Sequence, residues 1–470
     1  MWKKEWKIAQ SEIPPSTLLH SSFPLNTLAQ LRAGQLIGLT RLDLAEGLTE
    51  FPHEIFQLAD TLEILSLSGN QLNALPADLP KLSKLKILFC SDNLFTELPS
   101  VLGQCPQLRM IGFKANRIRT LPGAALPPTL RWLILTDNQL ESVPPEIGRC
   151  PNLQKLMLAG NQLKELPKAL AQCTNLELLR IAANQLPALP AWLLTMPRLS
   201  WLAYAGNPFC AAPEAAALAD NPIGTIAWPA LTLEQPLGEG ASGVIYRAQW
   251  QKAGFSAPTA VAVKLFKGAI TSDGLPHSEM AACLRAGTHP QLIGVKGKIE
   301  QHPAGAEGLV LDLIPPDFSN LAGPPSLDTC TRDVYAPETA FALPAVVRIA
   351  WGIASATAHL HAQGIMHGDL YAHNILTTKA GESLLGDFGA ACFVDSTTPE
   401  MAIALQQLEA RAFGCLLEEL LALCPVPIAH QPAFDALQEL QRRCVQPQVA
   451  TRPLFAEIER SSALRLPLAA

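Results

Sequence analysis

Within LTLEQPLGEGASGVIYRAQW, Gly238, Gly240 and Gly243 form the pattern G-x-G-x-x-G. Glycines at that spacing let a backbone lie close over phosphate oxygens, because no side chain intervenes. Lys264 closes the alternation of VAVK eighteen residues after Tyr246, and Glu279 follows fifteen residues later in SEMAACLRAGTHP. A lysine so placed reaches the α- and β-phosphates of a nucleotide and pairs with a carboxylate on a neighbouring helix. Further along, His367, Asp369 and Asn374 stand in HGDLYAHNIL, and Asp387 follows in LLGDFGAACF. Together these residue types suit chemistry at the phosphates of a bound nucleotide.

Such residues act together only if particular elements carry them. Val244, Ile245 and Tyr246 after the glycines are β-formers, so the turn joins two strands. A dinucleotide-binding turn with the same letters would open a helix instead. VAVK then reads as a third strand, and Glu279 starts an apolar-periodic segment. GLVLDLI, residues 308 to 314, fits a strand and hinge on which adenine rests, with Leu311 gating a deeper pocket. A long Pro-rich stretch, PPDFSNLAGPPSLDTCTRDVYAPETAF, comes next, and a long amphipathic helix leads from LPAVVRIAW into HGDLYAHNIL.

In this order the glycine turn, Lys264, Glu279, His367-x-Asp369, Asn374 and Asp387-Phe388-Gly389 resemble the protein-kinase catalytic domain over residues 229 to 470. The resemblance implies ATP held by Leu237, Gly238, Glu239, Gly240, Ala241, Ser242, Gly243, Ile245, Ala262, Lys264 and Leu311. It implies Asp369 as the catalytic base or alcohol-orienting carboxylate, with Lys264 and Glu279 completing the catalytic set. Asn374 and Asp387 would hold Mg²⁺, which bridges phosphate oxygens and offsets their charge. His367 would pack the loop against Asp-Phe-Gly, and Arg452 in ATRPLFAEI would pair with Glu400 in TTPE. Glu409 stands where such kinases put an Asp at the start of a buried helix.

Several positions depart from that pattern. Gly368 replaces the Arg usual between His and Asp, which removes the cation that receives a phosphorylated activation loop. Only eight residues, AACFVDST, separate Gly389 from TPE, against roughly twenty in a usual kinase, so peptide docking is reduced or moves to the repeats. Tyr371 replaces the Lys of Ser/Thr-directed kinases, and His373 occupies the slot of the Arg in Tyr-directed ones, where it would do a weaker version of the same job. Losing one such cation slows transfer by about tenfold to a thousandfold without abolishing it. An HGD loop also occurs in small-molecule phosphotransferases of the aminoglycoside and choline kinase type. The reading is therefore an active, atypical protein kinase, with a pseudokinase scaffold and a small-molecule phosphotransferase as rivals.

The first half is an array. Asn70, Asn93, Asn116, Asn138, Asn161, Asn184 and Asn207 recur at 22 or 23 residues, each closing a segment close to L-x-x-L-x-L-x-x-N, with a degenerate unit, LTRLDLAEGLTEFP, before them. This is the leucine-rich repeat pattern, which predicts one short strand per unit, stacked into a parallel sheet. The leucines fill a shared core and the asparagine satisfies backbone groups where the chain turns. Leu-Pro pairs such as Leu75-Pro76 and Leu98-Pro99 end the strand-like run. The variable strand positions, Ile64, Ile87, Phe89, Met110, Trp132, Ile134, Met157, Leu178 and Trp201, read as an apolar stripe on the concave face. An exposed stripe of that kind marks a surface for a protein partner or for another part of the chain.

Charged residues make up 16% of the chain and hydrophobic ones 49%, which excludes a disordered polypeptide. A net charge of -6 argues against a nucleic-acid partner, since phosphate contacts need clustered Lys and Arg. No run of 18 apolar residues predicts a membrane span, and the start of the chain lacks the apolar core of a signal peptide. The eleven Cys, with Cys105, Cys150 and Cys173 at one repeat position, read as buried thiols in a cytoplasmic protein. The expected fold class is α/β, a leucine-rich repeat solenoid followed by a bilobal α+β kinase-like domain. Its parts are an N-terminal cap (1 to 38), repeats (39 to 213), a linker or second cap (214 to 228) and the kinase-like domain (229 to 470).

Overall fold

The computed structural model describes residues 27–219, 223–240, 242–267, 270–271, 273–394, 398–425 and 430–465. Contacts divide the chain into two compact units, with a boundary between Met196 and Pro197. In the first, a short helix, α1 (Leu28–Arg32), is capped by Thr27, whose hydroxyl accepts from the Gln30 N–H. The expected cap is described only from residue 27; its earlier part, with the basic MWKKEWK, lies outside the described residues. Seven three-residue strands follow: β1 (Arg41–Asp43), β2 (Ile64–Ser66), β3 (Ile87–Phe89), β4 (Met110–Gly112), β5 (Trp132–Ile134), β6 (Lys155–Met157) and β7 (Leu178–Arg180). They pair in parallel at one repeat per strand, so that Leu65, Leu88, Ile111 and Leu133 lie opposite one another in turn. The middle residue of every strand is wholly buried.

The asparagines close each turn as expected. Asn138 donates through Nδ2 to the carbonyls of Phe113 (2.9 Å) and Leu135 (3.1 Å), while its Oδ1 accepts the Ile118 N–H at 2.9 Å. Asn93, Asn116, Asn161 and Asn184 repeat this, each tying its own turn to the preceding one. The turn also imposes a left-handed backbone on the residue before each asparagine: Gly69, Asp92, Ala115, Asp137, Gly160 and Ala183 have φ between 51° and 73°. Pro52, Pro99, Pro144 and Pro167, which follow Phe51, Leu98, Val143 and Leu166, each lead into a short 3-10 turn.

The expected exposed stripe is corrected. Ile87, Phe89, Met110, Trp132, Ile134, Met157 and Leu178 are at most 8% exposed, and Ile64 is half-buried. These side chains pack on one another along the sheet. A Cβ on Gly112 would come within 2.6 Å of the Phe89 ring, the Trp132 indole N–H meets the Met157 sulfur at 3.4 Å, and the Lys155 ammonium lies 4.2 Å from the Trp132 ring centre.

The second unit begins with the strand of the last repeat, β8 (Trp201–Ala203), followed by helix α2 (Ala211–Ala219) and β9 (Thr225–Ala227). Residues read from sequence as a linker thus carry part of α2 and a strand. Next come β10 (Leu231–Glu239), β11 (Gly243–Trp250), β12 (Thr259–Phe266), α3 (Pro276–Ala286), β13 (Val295–Glu300) and β14 (Gly308–Asp312). The sheet order is β10-β11-β12-β14-β13-β9, with β9 added parallel to β13. Ile226, Leu231, Ala248, Val261, Val263, Ile299 and Val310 form one core beneath it.

The other lobe is mainly helical. Its order is β15 (Ser319–Asn320), α4 (Leu343–Ala362), β16 (Ile365–Met366), β17 (Ile375–Thr377), β18 (Ser383–Leu385), β19 (Cys392–Phe393), α5 (Pro399–Ala422), α6 (Gln431–Cys444) and α7 (Phe455–Glu459). By length and composition α4 is apolar enough to cross a membrane, and most of it is buried inside this lobe. Val346, Ile353 and Leu360 on α4 are wholly buried.

Two substitutions test the repeat turn. Asn138→Leu leaves one buried N–H and two carbonyls without partners and should lower stability by about 3 kcal/mol. Ala115→Gly relieves a left-handed Cβ and should raise stability by roughly 0.5–1 kcal/mol, both read from urea midpoints.

Candidate active site

The glycine-rich turn joins two antiparallel strands, with Gly238 opposite Ile245 and Glu239 opposite Val244. It is closed by a 2.9 Å hydrogen bond from the Gly240 N–H to the Gly243 carbonyl. Gly243 admits no side chain, because a Cβ there would sit 2.4 Å from the Leu265 carbonyl oxygen. The Ser242 carbonyl accepts the Lys267 N–H at 2.9 Å, and the Lys267 ammonium pairs with Glu239. Ala241 lies outside the described residues. Leu237, Ile245, Ala262 and Leu311 line a cavity that reaches the hinge at Leu313 and Ile314. A deeper cavity shares Ile245 and Leu311 with it and is lined by Lys264, Glu279, Asn374 and Asp387. Two apolar walls of that deeper cavity, Ile293 and Leu376, escaped the sequence reading. Leu376 lies on β17, just after the 3-10 turn that ends at Asn374, so no strand period links the two.

Lys264 and Glu279 meet because β12 carries the lysine toward the first turn of α3. Both are buried. Burial opposes the Lys264 charge, but the carboxylates of Glu279 and Asp387 outweigh it and hold the ammonium pKa above the usual lysine value. Asn374 donates to Asp369 twice, to its carbonyl at 2.9 Å and its Oδ2 at 2.8 Å. Asp387 adopts a left-handed backbone, φ 53°, and its Oδ1 accepts the Gly389 N–H at 3.1 Å. His367 is structural: its Nε2 lies 2.9 Å from the Gly386 carbonyl and its ring 5.4 Å from that of Phe388. Glu409 anchors the loop from below. Its carboxylate accepts the N–H groups of Gly368 (2.7 Å) and His367 (3.3 Å) and bonds His361 Nε2 at 2.6 Å.

The departures have structural causes. Gly368 has φ 72°, and a Cβ there would lie 2.4 Å from the Ala390 carbonyl oxygen, so an Arg does not fit. Tyr371 is stacked flat on Trp201, ring centres 4.2 Å apart and planes within 8°. His373 lines the deeper cavity, and both its N–H and its Nδ1 meet Asp333, at 3.1 and 2.7 Å. Burial pulls the His373 pKa down, yet the Asp333 carboxylate raises it further, leaving it above the usual histidine value. Asp333 comes from the long Pro-rich stretch, whose composition carries no signal of that role. One expected pair is corrected. Arg452 donates to the carbonyls of Pro197 (2.6 Å), Gln446 (2.8 Å) and Gln407 (3.2 Å), and not to Glu400, because it is drawn into a buried pocket of backbone acceptors. The cysteines match their expectation: all eleven are buried thiols.

Residues 231–408 match the protein tyrosine and serine/threonine kinase family, and residues 61–82 and 128–186 match leucine-rich repeats. The chain is similar to the serine/threonine-protein kinase PkaA of Streptomyces coelicolor, 30% identical over 48% of this chain and 45% of that protein. It is also similar to the transforming growth factor beta activator LRRC32 of Pongo abelii, 37% identical over 26% of this chain and 20% of that one. A solved leucine-rich repeat protein of Leptospira interrogans aligns at 30% identity over 39% of this chain and 53% of that chain, with a TM-score of 0.33. The chain thus spans less than half the length of the curated relatives named.

The Glu409 anchor makes a pH prediction. Burial raises its pKa, but the His361 hydrogen bond and charge and the Gly368 N–H lower it further, to below the ordinary 4.5. A folded value below the unfolded one means stability that is fully present above about pH 4.5 and lost as pH falls through the folded value. Glu409→Gln should lower stability at pH 7 by about 1–3 kcal/mol and flatten the acid side of the stability curve, measured by urea unfolding from pH 7 to pH 3.5.

Proposed function

Because the chain joins leucine-rich repeats to a protein kinase domain, we propose that it transfers the γ-phosphoryl group of ATP to a Ser, Thr or Tyr hydroxyl of a protein. One observation carries this: Lys264, Glu279, Asn374 and Asp387 line a single cavity beneath the glycine hairpin, with Asp369 hydrogen-bonded to Asn374 at its edge. Leu237, Ile245, Ala262 and Leu311 supply the apolar slot that an adenine ring needs, next to hinge backbone. Lys264, kept cationic by Glu279, orients the α- and β-phosphates. Asp369 orients the attacking hydroxyl and takes its proton as the new P–O bond forms and the bond to the leaving ADP oxygen breaks.

The donor set suits Mg²⁺, a hard ion that accepts one or two protein oxygens and takes the rest from phosphates and water. Asn374 and Asp387 would hold it, and its charge would offset that on the phosphate oxygens. His373, paired with Asp333, sits on the same cavity wall and supports the reading that the cation missing at Tyr371 is partly replaced. On this reading the repeats recruit a protein partner or regulate the kinase half. Eleven buried thiols support a reducing, cytoplasmic setting.

The test is transfer of label from γ-labelled ATP with Mg²⁺ to a generic protein mixture. Asp369→Asn and Asp387→Ala should each lower it by about 100-fold or more, and mapping the labelled residue assigns Ser/Thr or Tyr. Transfer equal to wild type in Asp369→Asn would refute the assignment. No transfer and no ATP hydrolysis by wild type would leave a binding scaffold.

A further inference from the structure

The activation segment of this kinase half is short, and what it lacks is supplied from elsewhere. Residues 197 to 204, the strand of the last repeat and its approach, make a row of contacts with the catalytic machinery inside the second compact unit. Arg452, expected from sequence to hold Glu400, donates instead to the Pro197 carbonyl at 2.6 Å. Arg411 on α5, two residues from Glu409, donates to the Ser200 hydroxyl at 2.7 Å and the Arg198 carbonyl at 3.0 Å. The Trp201 indole N–H donates to the carbonyl of Leu370, the residue next to Asp369, at 3.0 Å. The same indole lies flat on Tyr371, and the Arg332 guanidinium stands 5.4 Å from its centre. Beyond it, the Tyr204 N–H meets the Cys392 sulfur at 3.1 Å and its hydroxyl donates to the Phe393 carbonyl at 3.1 Å. Trp201 and Tyr204 are each only 1% exposed.

From these contacts we infer that the last repeat stands in for the missing part of the activation segment, with Trp201 as the positioning residue that holds Leu370 and Tyr371 and so sets the place of Asp369. The inference rests on the kinase reading for its catalytic consequence but not for its structural one. A backbone carbonyl next to Asp369 fixed by a buried indole, and a ring two residues beyond it clamped by stacking, leave the carboxylate little freedom. Gly368 completes the fit: a Cβ there would also lie 2.9 Å from the Leu202 carbonyl oxygen, so the repeat strand and the missing Arg side chain exclude each other. Order that other kinases obtain by phosphorylating a loop is here built into the chain.

The experiment uses the full chain with Trp201→Ala, Trp201→Phe and Tyr204→Phe, reading steady-state transfer and amide hydrogen exchange together. Trp201→Ala should lower kcat by roughly 10- to 100-fold, as misplacement of a reacting group by about an ångström does, with KM for ATP changed by less than about threefold. Amides of residues 366 to 376 should exchange faster by about tenfold or more, and those of the hinge strand β14 at the wild-type rate. Trp201→Phe keeps the stack, loses the indole donor and should fall between wild type and Trp201→Ala. Wild-type kcat and unchanged loop exchange in a folded Trp201→Ala would overturn the inference. If Trp201→Ala fails to melt cooperatively, Trp201→Phe and Tyr204→Phe decide by the same two readouts. If the wild type transfers no phosphate, the proposed function falls, and loop exchange alone decides: faster in the variants upholds the structural inference, unchanged overturns it.

Discussion

A single buried carboxylate holds the loop from His367 to Asn374 in register. Glu409 takes the two consecutive N–H groups of His367 and Gly368 and bonds the imidazole of His361. A carboxylate that deep is costly to bury unless each of its oxygens is occupied, and here both are. With the backbone at Gly368 pinned, His367 can reach the Gly386 carbonyl and pack on Phe388, which brings Asp387 to the cavity wall. Asp369 and Asn374 then meet across a single turn of chain. The left-handed backbone at Asp387 is the strain this arrangement holds, while Gly368 adopts the same region at no steric cost.

The other lobe solves a different problem, how to keep an ammonium beneath a roof of glycines. β11 and β12 pair without interruption from Gly243 to Trp250, so Ile245 faces Lys264 and the hairpin cannot slip by one residue without turning the lysine away from the cavity. Glu279 meets it from α3, one position after Ser278, whose hydroxyl donates to Glu214 on α2. Helix α2 thus has a polar grip on the very turn that presents the ion-pair partner.

Much of this could be read from the chain itself. The order from Gly238 to Asp387 sets particular residue types at particular separations, and the asparagine ladder does the same for the repeats. Unreadable were the places where distant segments converge. Trp201 looked like one more strand residue of a stripe, yet its ring is buried on Tyr371, 170 positions away. Asp333 lay in a Pro-rich run with no period to mark it. Arg452 was given the partner usual for its neighbourhood, but it meets the carbonyl of Pro197, 255 positions away. Periodicity reports which face of an element is buried and is silent on what buries it.

Strand β9 adds a consequence for how this lobe behaves in solution. It runs along β13 from Thr225 to Ala227 and covers what would otherwise be a bare sheet edge, while Ile226 fills the core beneath. An uncovered edge offers unpaired N–H and C=O groups to any passing strand, including one from another copy. A fragment cut at residue 229, where the kinase-like motifs begin, would therefore expose both a hydrogen-bonding edge and an apolar hole beside it. Lys264, Glu279, Asp369 and Asp387 would all be present in it, and it would still be prone to self-association.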